Sequence, residues 1–270
     1  MRLNTVLVAV ALLSMLVAGG LYADKVYTPP QPPPEVVNTL HGSVILRREA
    51  LAGDLVTSPD LGAIYFVNKD RRRLPFPDEQ TFLSWYPDFS GVKNIPRDLL
   101  ESLPLAGRNV TIRPGTHLVK VQSSPQVWAV SHPNSLMWFA QGEPQVVQVY
   151  GQSWGDRLVD TPEYFFVNYL MGPEIGAGGV VYPIGSLIHA KNDDRYFLVT
   201  GLQQRIVTDR GFEENHFQKR FAIEVDEPLS LDLVAPTLDE YEPQWGSPDP
   251  FDALEERMEI GDAQVTEGSA

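Results

Sequence analysis

The chain opens with an uncharged run from Thr5 to Ala23, rich in valine, leucine and alanine, after a short polar start with Arg2. Drawn as a helix it is apolar on every side, and its nineteen residues would reach about 28 Å, close to the roughly 30 Å hydrocarbon thickness of a bilayer. Such a segment either spans the membrane or is cut. Ala18-Gly19-Gly20 and Leu21-Tyr22-Ala23 offer small residues for cleavage, while Asp24-Lys25 offers a polar stop. The pattern therefore predicts a signal peptide or membrane anchor helix over residues 1–25, meeting the cytoplasmic membrane through residues 5–23. Next comes Thr28-Pro29-Pro30-Gln31-Pro32-Pro33-Pro34. Each proline ring fixes φ and removes a donor, so residues 26–49 are predicted to form an extended spacer.

Beyond residue 50 the hydrophobic pattern repeats. Three segments open with a glycine turn and an aliphatic pair: Gly53 before Leu55-Val56, Gly115 before Leu118-Val119, and Gly185 before Leu187-Ile188. About eight residues later each has an aromatic-containing strand: Ile64-Tyr65-Phe66-Val67, Val127-Trp128-Ala129-Val130 and Tyr196-Phe197-Leu198-Val199. A polar turn and a second β-rich run come next, which together read as a hairpin. A short helix comes next, clearest where Asp78 can cap Glu79 to Trp85, and each unit closes with an aromatic and an aliphatic pair: Phe89 with Val92 and Ile95, Trp154 with Leu158 and Val159, Phe217 with Phe221 and Ile223. One hairpin and one helix cannot bury an aromatic face alone, so neighbouring units must share a core. The prediction is an α+β protein of about three tandem strand-strand-helix repeats forming one elongated body, with the units at 50–112, 113–175 and 176–235.

Charge changes the picture at one end. The net charge is -14, and the stretch from Pro236 to Ala270 holds ten acids against one base, Arg257. Prolines and few aliphatics accompany them, so 236–270 is predicted to be a disordered acidic tail. Nucleic-acid binding needs a clustered basic face, and the one dense basic run is Arg71-Arg72-Arg73, so nucleic acid is set aside. The chain has no cysteine, which removes disulfides, thiol nucleophiles and thiolate metal sites.

The search for chemistry finds no catalytic or metal constellation. The five histidines, His41, His117, His132, His189 and His216, are scattered without a zinc-protease spacing. There is no nucleophile elbow and no Walker loop, and Gly176-Ala177-Gly178-Gly179 lacks the lysine that a phosphate loop needs. Asp193-Asp194 and Glu213-Glu214 read as solvated turn and helix-start acids. No cofactor is expected. The candidate binding residues are the large aromatics Trp85, Tyr86, Trp128, Trp138 and Trp154, flat surfaces that can stack on sugars or anchor an interface. Their recurrence at repeat-equivalent positions points instead to core packing.

The run from Gly53 through Trp85-Tyr86-Pro87-Asp88-Phe89-Ser90-Gly91-Val92, Asn109-Val110-Thr111-Ile112-Arg113-Pro114-Gly115, Val127-Trp128-Ala129-Val130, Tyr150-Gly151-Gln152-Ser153-Trp154 and Phe165-Phe166-Val167-Asn168-Tyr169 resembles a hairpin-helix repeat of exported proteins from ultrasmall, candidate-phylum (Patescibacteria-like) bacteria. The resemblance covers roughly residues 50 to 225. It implies a place at the cell surface and brings no catalytic residues with it. Taken together, the expectation is an exported, membrane-tethered envelope protein that binds another envelope protein or a wall polymer without catalysis. The alternative is a wall-acting hydrolase or carbohydrate-binding protein.

Overall fold

The computed structural model describes residues 37–39, 42–44, 49–177 and 181–251, with side chains from Glu49 onward. The expected helix over 1–25 lies outside the described residues. Among those residues, no helix is long and apolar enough to cross a membrane. Within the span read as a spacer, β1 (Val37–Thr39) pairs antiparallel with β2 (Gly42–Val44).

The first repeat segment starts at Gly53, whose φ of +89° only glycine adopts without strain. It leads into β3 (Leu55–Thr57), β4 (Tyr65–Val67) and β5 (Arg73–Pro75), three strands in an antiparallel meander. Helix α1 (Glu79–Trp85) starts where it does because the Asp78 carboxylate accepts from the Thr81 N–H and so satisfies an open helix donor. It buries Phe82 and Trp85. The chain returns as β6 (Val92–Asn94), parallel to β3, and continues into α2 (Arg97–Ser102).

The second and third segments elaborate the same order. In the second, β7 (Leu118–Lys120), β8 (Trp128–Ser131) and β9 (Ser135–Trp138) precede α3 (Glu143–Tyr150), and β10 (Leu158–Asp160) and β11 (Leu170–Glu174) close the sheet. In the third, β12 (Leu187–Ala190), β13 (Tyr196–Val199) and β14 (Gln203–Val207) precede α4 (Asp209–Glu214). After them come β15 (Ile223–Val225), β16 (Asp232–Leu233) and a last turn of helix, α5 (Pro243–Gly246). The sheets run β5-β4-β3-β6, β10-β7-β8-β9-β11 and β15-β12-β13-β14-β16. In each the meander is antiparallel, while β6, β10, β11, β15 and β16 add on in parallel.

The predicted architecture is corrected on three points. The units are not strand-strand-helix repeats in an α+β body. They are mixed α/β sheets of four or five strands with few, short helices. The extra strands escaped the sequence pattern because most are two to four residues long, too short to show an alternation. Nor do the segments form an elongated row in which each touches only its neighbours. The Gln218 and Arg220 side chains of the third both donate to the Leu83 carbonyl of the first, at 3.0 and 2.9 Å. Finally, residues 236–251 are not a disordered tail. Leu238 bridges Val207 in parallel, and Leu238, Trp245 and Asp249 are buried.

The cores explain the arrangement. The faces of the second and third sheets meet in one cluster, with Leu118, Met137, Phe139 and Tyr150 from one side and Ile188, Phe197 and Ile223 from the other. Leu187, Leu198 and Phe212 on the opposite face of the third sheet are covered by Leu238 and Trp245, from the stretch read as tail. Burying an apolar side chain of this size contributes about 1.5–3 kcal/mol. An acidic composition does not prevent a segment from ordering when it carries two such residues at a place that needs them.

Candidate interaction surface

The aromatics singled out in the sequence separate by burial. Trp85 and Tyr86 belong to the core, and the Trp85 indole N–H donates to the buried Thr111 carbonyl at 2.8 Å. Trp128 and Trp154 are half-buried against core clusters of the second segment. Trp138 alone of the five is exposed, at 37%. The structure thus pairs Trp128 with Trp138 across β8 and β9 and encloses Trp85 and Tyr86 in the core. It leaves a different surface open.

That surface is built by the return of the second segment. Thr161-Pro162 leads into a short 3-10 helix, Glu163–Asn168, which passes directly into the edge strand β11. Tyr164 is 70% exposed, Val167 84%, Leu170 53% and Met171 69%. Four large apolar side chains in eight consecutive residues thus face solvent, and two of them, Leu170 and Met171, belong to β11, the last strand in its sheet. An exposed sheet edge with apolar neighbours is an inherently sticky surface, one that folded proteins ordinarily cover or break up with charge.

The surface is held firmly from behind. The Tyr169 hydroxyl accepts from the Ile112 N–H at 3.1 Å. The Asn168 side chain accepts from the Asn109 N–H at 3.2 Å and donates to the Phe165 carbonyl at 3.1 Å. Asn134, in the left-handed region at φ +77°, accepts from the Thr111 hydroxyl at 2.6 Å and donates to the Asn168 carbonyl. Gly172 lets β11 approach β9, since a Cβ there would lie 3.0 Å from the Leu136 carbonyl oxygen. Buried amides on one side and open aliphatics on the other make a rigid presentation of this segment. The sequence run Phe165-Phe166-Val167-Asn168-Tyr169 was visible, but which of its residues face outward was not.

A cleft of about 440 Å³ lies where the three segments meet, lined by Gln80, Leu83, His117, Ser153, Asp156, Arg157, Arg220 and Phe221. Its cations are committed to structure. Arg157 donates to the carbonyls of Thr116, Phe221 and Ala222 at 2.7–3.0 Å, and Arg220 to that of Leu83. His117 Nδ1 lies 3.1 Å from the Arg157 carbonyl, which can only accept, so Nδ1 carries the proton. Burial lowers the His117 pKa below the ordinary histidine value, and the ring packs edge-on against Phe221. The cleft is therefore a seam between segments. Among the described residues, no cluster of three or more histidines or carboxylates is placed to hold a metal ion.

No protein-family profile matches the chain. No curated protein matches it either. Two solved structures resemble it distantly. A chain of the periplasmic assembly from the ESX-5 inner membrane complex is 14% identical, with 70% of this chain and 62% of that one aligned and a TM-score of 0.19. A chain of an intact ESX-5 inner membrane complex is 13% identical over 88% of this chain and 60% of that one, with a TM-score of 0.17. The chain thus spans about three fifths of the chains it matches. At those scores the likeness carries neither fold nor function across.

Proposed function

We propose that this chain is an extracytoplasmic, envelope-associated module that holds a partner protein and does not turn over a substrate. The apolar run from Thr5 to Ala23 and the prolines after it support export and tethering. The observation that carries the binding role is the open apolar edge of the second sheet, Tyr164 and Val167 just before β11 with Leu170 and Met171 in it. Its chemistry selects the class of partner. A polysaccharide is gripped by exposed aromatic faces flanked by polar groups, and here Trp85 and Tyr86 are buried and the exposed side chains are mostly aliphatic. Aliphatic residues beside a free strand edge suit another protein, which can add a strand and cover them.

The test is a photo-crosslinking residue at Val167 in the full chain, expressed in its own cells. A discrete protein adduct is expected from Val167 but not from Asn192, an exposed position on the third segment. Leu170→Glu with Met171→Glu should abolish it without moving the melting transition. A folded chain that yields no adduct from Val167, or the same adduct from both positions, overturns the reading.

A further inference from the structure

The turn between β4 and β5 reads Lys69-Asp70-Arg71-Arg72-Arg73, four cations and one acid in a chain whose net charge is -14. Most other arginines of the described body are spoken for: Arg97, Arg108, Arg195, Arg205 and Arg210 sit on carboxylates. Arg113, Arg157 and Arg220 are fixed on backbone carbonyls of distant segments. Arg71, Arg72 and Arg73 are different. Arg71 and Arg72 are exposed and their side chains donate to the carbonyls of Ala50 and Leu105, the second at a long 3.4 Å, while Arg73 lies over the Tyr65 ring. None of these three has a carboxylate within ion-pair distance among the described residues. Like charges so close together raise the local potential and attract an anion.

The end of the described chain arrives at this place. The buried Asp249 carboxylate accepts from the Asn68 side-chain amide at 3.0 Å and from Arg108 at 2.5–2.6 Å. The oxygen of the same Asn68 amide accepts from the Arg72 N–H at 2.8 Å. Phe251 donates its N–H to Asp249 and lies over the Arg108 guanidinium at 4.6 Å. One asparagine thus links the turn to the last described residues. Beyond Phe251 the chain carries Asp252, Glu255, Glu256, Glu259, Asp262 and Glu267 against Arg257 alone, a net charge of -5.

We propose that the Arg71-Arg72-Arg73 run of this turn is the docking site for the chain's own acidic segment, residues 252–270. Reach is sufficient, since the five residues from Phe251 to Glu256 extend up to about 18 Å. A single exposed ion pair is weak, so the docking needs several at once. A short tether supplies the rest, because it holds the carboxylates at an effective concentration in the millimolar range. In this arrangement the segment shields the turn from external polyanions, including the anionic headgroups of the membrane to which the N-terminal run would bring it.

The absence of cysteine makes the test direct. Spin labels at Leu105→Cys, an exposed side chain next to the turn, and Met258→Cys report the distance by pulsed electron resonance in the full chain. The expected result is a short, narrow distribution that lengthens and broadens in about 1 M salt, where the Debye length falls to roughly 3 Å. Arg71→Glu with Arg72→Glu should produce the same broadening, and adding Glu255→Lys, Glu256→Lys and Glu259→Lys should restore the short distance. The melting transition shows that each variant is folded. Distances indifferent to salt and to both sets of substitutions overturn the proposal. So does loss of binding to anionic vesicles on turn reversal with the distance unchanged, which would give the turn an external polyanion as its partner.

Discussion

Arg113 shows how one side chain can join three parts of the chain. It is 3% exposed and donates to the carbonyls of Asn215, His216 and Trp245 at 2.9, 2.6 and 2.9 Å. Its guanidinium lies between the rings of Trp85 and Phe217, at 4.9 and 4.2 Å. Burial pushes its pKa down to about 9, so it still carries its charge at neutral pH. The planar fork is what the site requires, because a lysine ammonium can neither reach three divergent carbonyls nor stack flat between rings. Arg113→Lys should cost about 1.5–3 kcal/mol in denaturant unfolding, in the range for buried charge-assisted hydrogen bonds. In the sequence nothing sets Arg113 apart, since an arginine beside a proline-glycine turn reads as solvated. His117 gives a pH prediction. Its folded pKa lies below the ordinary value of about 6.5, so the unfolded chain binds the proton more tightly. Stability should then fall as pH drops below about 6.5, by the linkage of proton uptake to unfolding. A series of urea midpoints should show a shallower fall for His117→Gln in that window.

At the scale of the elements, the opening glycines are alike in sequence and unlike in function. Gly53, Gly115 and Gly185 all take positive φ, at +89°, +76° and +96°. A Cβ at Gly53 would meet nothing within 4 Å. At Gly115 it would lie 2.5 Å from the Gly185 carbonyl oxygen and from Ser186 backbone atoms, because the opening turns of the second and third segments pack backbone to backbone. Gly53→Ala should cost only the left-handed strain of about 1–2 kcal/mol, while Gly115→Ala should cost clearly more, read as the larger drop in melting temperature. Hairpin strands and α1 were legible because alternation, turn residues and a capping aspartate are local signals. The parallel edge strands were not. β6, β10 and β15 are only three residues each, and each is a strand only because it lies beside β3, β7 or β12, some 35 to 40 positions earlier.

At the scale of the whole molecule, the segment after Pro236 closes the body. Leu238 donates its N–H to the Ile206 carbonyl and accepts at its own carbonyl from Thr208 N–H. Glu242 forms a two-point pair with the buried Arg205 at 2.8 Å. Asp249 reaches Arg108 and Asn68 in the first segment. A chain ending at residue 235 should therefore unfold at markedly lower denaturant than one ending at 251, and Asp249→Asn alone should cost about 1.5–3 kcal/mol by weakening its charge-assisted hydrogen bonds to Arg108 and Asn68. The sequence by itself determined the three-fold recurrence of a glycine turn, an aliphatic pair and an aromatic strand, along with the first helix and its cap. Periodicity and propensity are properties of neighbouring residues, so they are written locally. Only the tertiary structure decided that the sheets are mixed, that Trp85 is core while Val167 is surface, and that an acidic stretch is a strap. Those outcomes depend on which distant backbone groups and apolar faces need a partner, and that is settled only when the whole chain has folded.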